Sequence, residues 1–229
     1  MMDALRLPSP LVEIRDELVE SRGMRLHLKR DELIHPELPG NKWRKLKYNI
    51  AAAEEHGAST LLTFGGAYSN HIRATAAVGR YFDFKTIGII RGERQSTLND
   101  VLAYATSCGM QLFYMNRTEY RQKTNPSAIA DLRARFGDFY LIPEGGSNAL
   151  AVKGCSELVN EIDVDFDVVC CPCGTGGTLA GISAALHHGR ATGISRLLGG
   201  CVRRWRKHRS RPRIRNGSFA RSHLEIELA

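Results

Sequence analysis

From residue 60 to residue 195, short apolar runs alternate with helix-forming stretches, and no other feature of the chain restricts its fold as tightly. Residues 60–64, 86–90, 111–115, 139–142, 166–170 and 191–195 read as strands. Residues 69–78, 97–107, 126–136, 148–161 and 177–188 read as helices, with Pro126 at a first-turn position and Gly109 and Gly137 as stops. Strands separated by helical crossovers run parallel, so the pattern predicts an α/β fold with helices on both faces of parallel sheets. In such sheets ligands bind outside the carboxyl ends of the strands. Upstream, residues 24–29 alternate apolar and polar as a half-buried strand does. Pro36 and Pro39 mark a loop, and Asn41 is placed to cap a helix running to about Glu55. Residues 1–23, interrupted by Pro8 and Pro10, show no element.

Three stretches carry chemistry. Gly40-Asn41-Lys42-Trp43-Arg44-Lys45-Leu46 puts Lys42 in the first turn of a helix. A desolvated lysine there has a lowered pKa and can act as a nucleophile toward a carbonyl. Lys45 and Lys47 follow closely, a cluster that also fits a solvated basic face; Lys45 is expected to be exposed if Lys42 points inward. Cys171-Pro172-Cys173-Gly174-Thr175-Gly176-Gly177-Thr178 joins a strand to a helix. Its glycines can turn backbone N–H groups around an anion, the helix N-terminus adds partial positive charge, and Thr175 and Thr178 add hydroxyls. It lacks the endings of a P-loop and of a dinucleotide fold, so a monophosphate fits best; a bare β-α turn fits as well. Phe64-Gly65-Gly66-Ala67-Tyr68-Ser69-Asn70-His71 is a second strand-to-helix loop. There Ser69 can serve as an N-cap and Asn70 can hydrogen-bond a ring hydroxyl or a substrate carboxylate; a plain capping turn fits the loop as well. Lysine and phosphate loop together point to pyridoxal 5′-phosphate (PLP) as cofactor.

The composition narrows the alternatives. A net charge of +8 is held by residues 196–229, which contain ten Lys/Arg and two acids; the remainder is neutral. The body therefore gives no electrostatic reason to bind nucleic acid, and the tail alone could act as a basic arm. No run of 18 apolar residues exists, so no membrane partner is expected, and without an N-terminal apolar segment the expected compartment is the cytoplasm. The cysteines, including Cys170, Cys171 and Cys173, lack paired metal-site spacing, so no metal is expected and they read as reduced thiols. His187 and His188 are expected at a helix C-terminus, favouring its dipole.

Gly40-Asn41-Lys42-Trp43-Arg44-Lys45-Leu46-Lys47-Tyr48 resembles the G-N-K-x-R-K-L-E-Y motif of the 1-aminocyclopropane-1-carboxylate deaminase / D-cysteine desulfhydrase family. Gly65-Gly66-Ala67-Tyr68-Ser69-Asn70-His71 resembles its G-G-x-x-S-N-[QH] loop, and Gly174-Thr175-Gly176-Gly177-Thr178-Leu179-Ala180-Gly181 its phosphate loop. The likeness covers about residues 8–195. It implies the two-domain, tryptophan-synthase-β-like PLP fold type II. Residues 1–46 with 144–195 would form a large domain and residues 47–143 a small one. It further implies that Lys42 holds PLP as a Schiff base and that Asn70 bonds the cofactor's 3′ oxygen. Gly174, Thr175, Gly176, Gly177 and Thr178 would hold the phosphate, and Ser69 would contact the substrate carboxylate or act in deamination. The implied reaction converts a small amino acid to a keto acid and ammonia, in a homo-oligomer. Lys47 departs from the family's Glu without touching these positions.

After Ser195 the resemblance ends, and residues 196–229, rich in arginine and without periodicity, read as disordered. The chain reads as truncated or frameshifted there, lacking the family's later active-site tyrosine and its partner for the pyridine nitrogen. An inactive remnant is therefore the alternative to an active enzyme. A nucleic-acid-binding tail is a third reading.

Overall fold

The computed structural model describes residues 5–38, 40–94 and 96–194, together with the backbone of residues 202–205. The chain divides into two compact units, Met1–Gly146 and Ser147–Ala229. The first opens with an antiparallel pair, β1 (Leu11–Ile14) and β2 (Leu26–Lys29), connected through a short helix α1 (Glu17–Glu20). The side chain of Asp16 caps α1 by accepting from Val19 N–H at 3.1 Å. Neither β1 nor α1 follows from the sequence pattern, because Pro8 and Pro10 argue against an early element. Pro10 in fact leads into the edge strand, where it has no donor to lose and its carbonyl accepts from Arg30 N–H at 2.8 Å.

The rest of this unit is the predicted alternation. It runs α2 (Lys42–Glu55), β3 (Thr60–Gly66), α3 (Asn70–Phe82), β4 (Lys85–Arg91), α4 (Asp100–Ser107), β5 (Gln111–Met115), α5 (Arg117–Arg121), α6 (Pro126–Phe136) and β6 (Tyr140–Ile142). The strands form one parallel sheet in the order β5-β4-β3-β6. Successive residues of β3 feed opposite faces, as the strand period requires. Leu61 packs with Trp43, Leu46 and Ile50 of α2 and Ala74 and Val78 of α3. Leu62 and Phe64 pack with Tyr120 of α5 and Leu132 of α6. Ile72, Ala76 and Ile90 meet Leu102 and Ala105 of α4. Helices thus cover both faces, and β3 is buried along nearly its whole length.

The second unit holds α7 (Ala149–Asn160), β7 (Val168–Pro172), α8 (Gly177–Ala185), β8 (Arg190–Ile194) and β9 (Val202–Trp205). β7 and β8 are parallel, but β9 runs antiparallel to β8, Thr192 pairing with Arg204. Two expectations change here. The sheets are not wholly parallel, and part of the stretch expected to be disordered forms a strand. The four residues Val202-Arg203-Arg204-Trp205 show no apolar/polar alternation, so only the pairing with β8 marks them as a strand. The remainder of residues 196–229 lies outside the described residues. Helix α8 stops at Ala185, where Leu186 turns to an extended conformation (ψ 126°), so His187 and His188 follow the helix rather than end it. His188 instead packs its ring 5.1 Å from that of Phe166.

α7 and α8 meet through a glycine. A Cβ on Gly181 would stand 2.5 Å from Cys155 Cβ and 2.7 Å from the Val152 carbonyl oxygen, so both helices would have to separate. Gly181→Ala should therefore destabilise this unit by about 1–3 kcal/mol despite alanine's better helix propensity. Urea denaturation followed by circular dichroism would read this as a lowered midpoint; an unchanged or raised midpoint would show that the helices have room.

Candidate active site

In the first unit the start of α2 is built from buried polar contacts. The Lys42 amine donates to Asn41 Oδ1 at 2.6 Å, and Lys42 is half-buried. Asn41 occupies the N-cap position, but its side chain makes no bond to the helix N–H groups. It holds the lysine instead of capping the helix. Lys45 is not exposed, contrary to expectation: only 3% of it is accessible, and its ammonium donates to the Gly145 carbonyl at 2.9 Å. The reason is that α2 is covered on more than one side. Arg44, 1% exposed, forms a bidentate pair with Asp31, Nε to Oδ2 and Nη2 to Oδ1 both at 2.8 Å. Ser9 completes this network, its hydroxyl donating to Asp31 Oδ1 at 2.7 Å. A buried guanidinium held by a carboxylate fork fixes the first turn of the helix, and with it the backbone that carries Lys42.

The second loop follows β3. Ser69 caps α3, its Oγ accepting from Ile72 N–H at 3.3 Å. Only glycine fits at position 65, since a Cβ there would meet Ile72 Cγ1 at 2.5 Å and Ser69 Oγ at 2.9 Å. Asn70 and Tyr68 are exposed, whereas His71 turns inward and is buried. Thr63 Oγ1 donates to the Ile142 carbonyl at 2.8 Å and lies 2.8 Å from His71 Nε2. With its single proton on Ile142, the threonine must accept from His71, so Nε2 carries the hydrogen. Nδ1 is then a buried lone pair, and no hydrogen-bond partner reaches it. Burial, and then the positive charges of Lys42 and Lys45, push the His71 pKa down to about 3, against a weak opposing pull from the Pro143 carbonyl. The two lysines and the Ser69-Asn70-His71 turn therefore share one neighbourhood.

The third loop lies in the second unit, between β7 and α8. Gly176 takes a left-handed conformation (φ 83°) and α8 begins with no side-chain cap. A Cβ at Gly174 or Gly176 would meet nothing within 4 Å, so open space lies in front of these backbone positions. Thr175 Oγ1 shares a hydrogen bond with Ser147 Oγ, and Thr178 is buried in the first turn of the helix. An uncapped helix start with glycine and hydroxyl neighbours is the donor set a phosphate monoester needs, so the residues present fit the phosphate of PLP. The cysteines do not form a centre: Cys170 is exposed and Cys171 buried, and among the described residues no cluster of His, Cys, Asp and Glu could hold a metal.

Comparison with known proteins identifies the family. The family described as "Pyridoxal-phosphate dependent enzyme" matches residues 3–210. The chain belongs to that family. It is 35% identical over 186 residues to a Thermotoga maritima protein provisionally named 1-aminocyclopropane-1-carboxylate deaminase, covering 78% of this chain and 59% of that protein. It is 34% identical over 179 residues to the mitochondrial bifunctional D-cysteine desulfhydrase/1-aminocyclopropane-1-carboxylate deaminase of Arabidopsis thaliana, covering 70% and 45%. A solved structure of an ACC deaminase homologue superposes with a TM-score of 0.71 at 26% identity, covering 84% of this chain and 61% of that one. The fold is accordingly that of the type II PLP enzymes, and PLP is the family's cofactor. The chain spans about half to three fifths of the length of these relatives. No helix among the described residues is long and apolar enough to cross a membrane.

The sequence pattern did not reveal the Asp31–Arg44 pair, the Thr63 relay or the burial of Lys45. A signal existed for one of them: Thr63 is the only polar residue inside the apolar run 61–64, a position that demands a hydrogen-bond partner.

Two outcomes follow from this geometry. Asp31→Ala leaves the Arg44 guanidinium buried without its counter-ion and should cost about 3 kcal/mol or more in chemical denaturation; a loss below about 1 kcal/mol would show that Arg44 finds water. His71 is neutral in the folded chain down to about pH 3, while the unfolded chain protonates it near 6.5. Its contribution to stability is thus full above pH 6.5 and falls with pH through the interval down to about 3. The difference in unfolding free energy between the wild type and His71→Gln should change by up to roughly 1.4 kcal/mol per pH unit between pH 6 and 5. Parallel pH profiles for the two proteins would contradict this assignment.

Proposed function

We propose that this chain acts as a PLP-dependent deaminase or desulfhydrase on a small amino acid of the D-cysteine or 1-aminocyclopropane-1-carboxylate type, releasing a keto acid and ammonia. The observation that carries the reading is the hold of Asn41 Oδ1 on the Lys42 amine at 2.6 Å, at the start of α2 and in the same unit as the Ser69-Asn70-His71 turn. A lysine amine held by an asparagine, in a unit that also sets a serine and an asparagine at a helix start, is a donor set suited to an aldehyde cofactor and a carboxylate substrate. The names of the relatives supply the substrate class.

In this reading Lys42 would hold the cofactor at its aldehyde and Asn70 at its ring oxygen. Gly174, Thr175, Gly176, Gly177 and Thr178 hold the phosphate through backbone N–H groups and hydroxyls. When bound, PLP supplies an electron sink for the α carbon of an amino acid. The Lys42 amine would take the α proton at its Nζ. Asn41 keeps that amine oriented through the contact at 2.6 Å. Ser69 meets the substrate carboxylate or moves a proton during deamination. Residues 1–46 with 144–195 form the cofactor-bearing domain and residues 47–143 the smaller one. The reading also keeps the chain in a reducing cytoplasm, where the described cysteines remain free thiols.

The test uses the full chain with added PLP. A visible absorption band of lysine-bound cofactor and a raised melting temperature should appear in the wild type and vanish in Lys42→Ala. Lys45→Ala should keep the band. D-cysteine turnover, followed by sulfide release, then separates a working enzyme from a chain that binds the cofactor without acting. A band indifferent to Lys42 would remove the assignment.

A further inference from the structure

A second cationic feature lies at the carboxyl edge of the parallel sheet, apart from Lys42. Arg91 ends β4, and its register partner is Gly66, the last residue of β3, three positions before Ser69. The guanidinium lies over that glycine: a Cβ on Gly66 would come within 3.4 Å of Arg91 Nη2. On another side the guanidinium carbon stands 5.6 Å from the centre of the Tyr120 ring. That ring is only 2% exposed and packs edge-on against Phe64 at 6.0 Å, so the core fixes the surface on which Arg91 rests. Lys123 lies over the same ring at 4.4 Å, but its charge is met by Glu144 Oε2 at 3.0 Å. Arg91 is exposed, and among the described residues it makes no ion pair.

An arginine seated on an aromatic ring, over a glycine, with its donors uncommitted, is arranged to receive a planar anion. Carboxyl ends of parallel strands are where α/β sheets place ligands, and Gly66 ties this position to the turn carrying Ser69 and Asn70. We propose that Arg91, with the notch over Gly66, is a carboxylate-recognition site for the amino-acid substrate. The substrate class rests on the proposed function; the capacity to bind a carboxylate does not. Two carboxylates could fill the site, the α-carboxylate of any amino acid or the side-chain carboxylate of an acidic one.

The full chain, without and with PLP, is titrated with D-alanine, D-alaninamide and D-aspartate while the arginine Nε–Hε resonances are followed by NMR, that of Arg91 assigned by its loss in Arg91→Gln. A saturable shift with D-alanine and none with D-alaninamide supports the proposal and assigns the α-carboxylate. A shift with D-aspartate alone supports it and assigns the side-chain carboxylate. Calorimetry should then show the supporting ligand bound about tenfold more weakly by Arg91→Gln, with part of the affinity regained in Arg91→Lys. Equal responses to D-alanine and its amide, no response to either carboxylate, or unchanged affinity in Arg91→Gln would overturn the proposal. The titration without PLP decides this point even if no Lys42-dependent band forms, an outcome that would count against the proposed function alone.

Discussion

The hydroxyl of Thr63 is the polar contact on which the first unit turns. It sits in the middle of β3, a strand buried on both faces, where an unmet hydroxyl would cost on the order of 1–3 kcal/mol. One hydrogen goes to Ile142 at the end of β6, and one lone pair takes the hydrogen of His71 at the start of α3. Two consecutive elements and a third, 79 positions on, are thereby fixed at a single oxygen. The same contact sets the His71 tautomer and keeps the imidazole turned inward, which leaves Ser69 and Asn70 at the outer rim of the turn. Position along β3 thus becomes orientation of the residues that follow it.

Much of this unit is legible in the amino-acid order because local and tertiary preferences agree there. The apolar runs at 60–64, 86–90 and 111–115 fall within observed strands, and Pro126 and Gly137 bound a helix as proline and glycine should. The illegible parts are those in which a distant partner decides. Lys45 reads as a surface residue until Gly145, a hundred positions away, supplies its acceptor. Asn41 reads as a cap until the neighbouring amine claims its oxygen. β9 is hidden because Val202-Arg203-Arg204-Trp205 lacks strand alternation and only pairing with β8 defines it. The motifs around Lys42 and Gly174 stand out in sequence through glycines at positive φ, Gly40 and Gly176, and that around Ser69 through Gly65, which has no room for a Cβ. What surrounds them, the Asp31–Arg44 pair and the Thr63 hydroxyl, uses ordinary residues and leaves no local mark.

Charge gives the last link between fold and chemistry. The body of the chain is neutral by count, yet cations are not spread evenly. Lys42 and Lys45 act together on His71, and their combined field helps to keep that imidazole uncharged. Had His71 been protonated, three positive charges would lie in one desolvated region; neutrality removes one of them and limits the repulsion. Arg91 and Lys123 gather around Tyr120, with only Glu144 identified as a compensating acid there. Such local excess destabilises a folded chain unless something anionic relieves it, and relief by a bound anion is binding energy. A phosphate-bearing aldehyde and an amino-acid carboxylate are both anions. A local excess of cations is thus a feature of the fold that net charge, which averages these clusters away, cannot register.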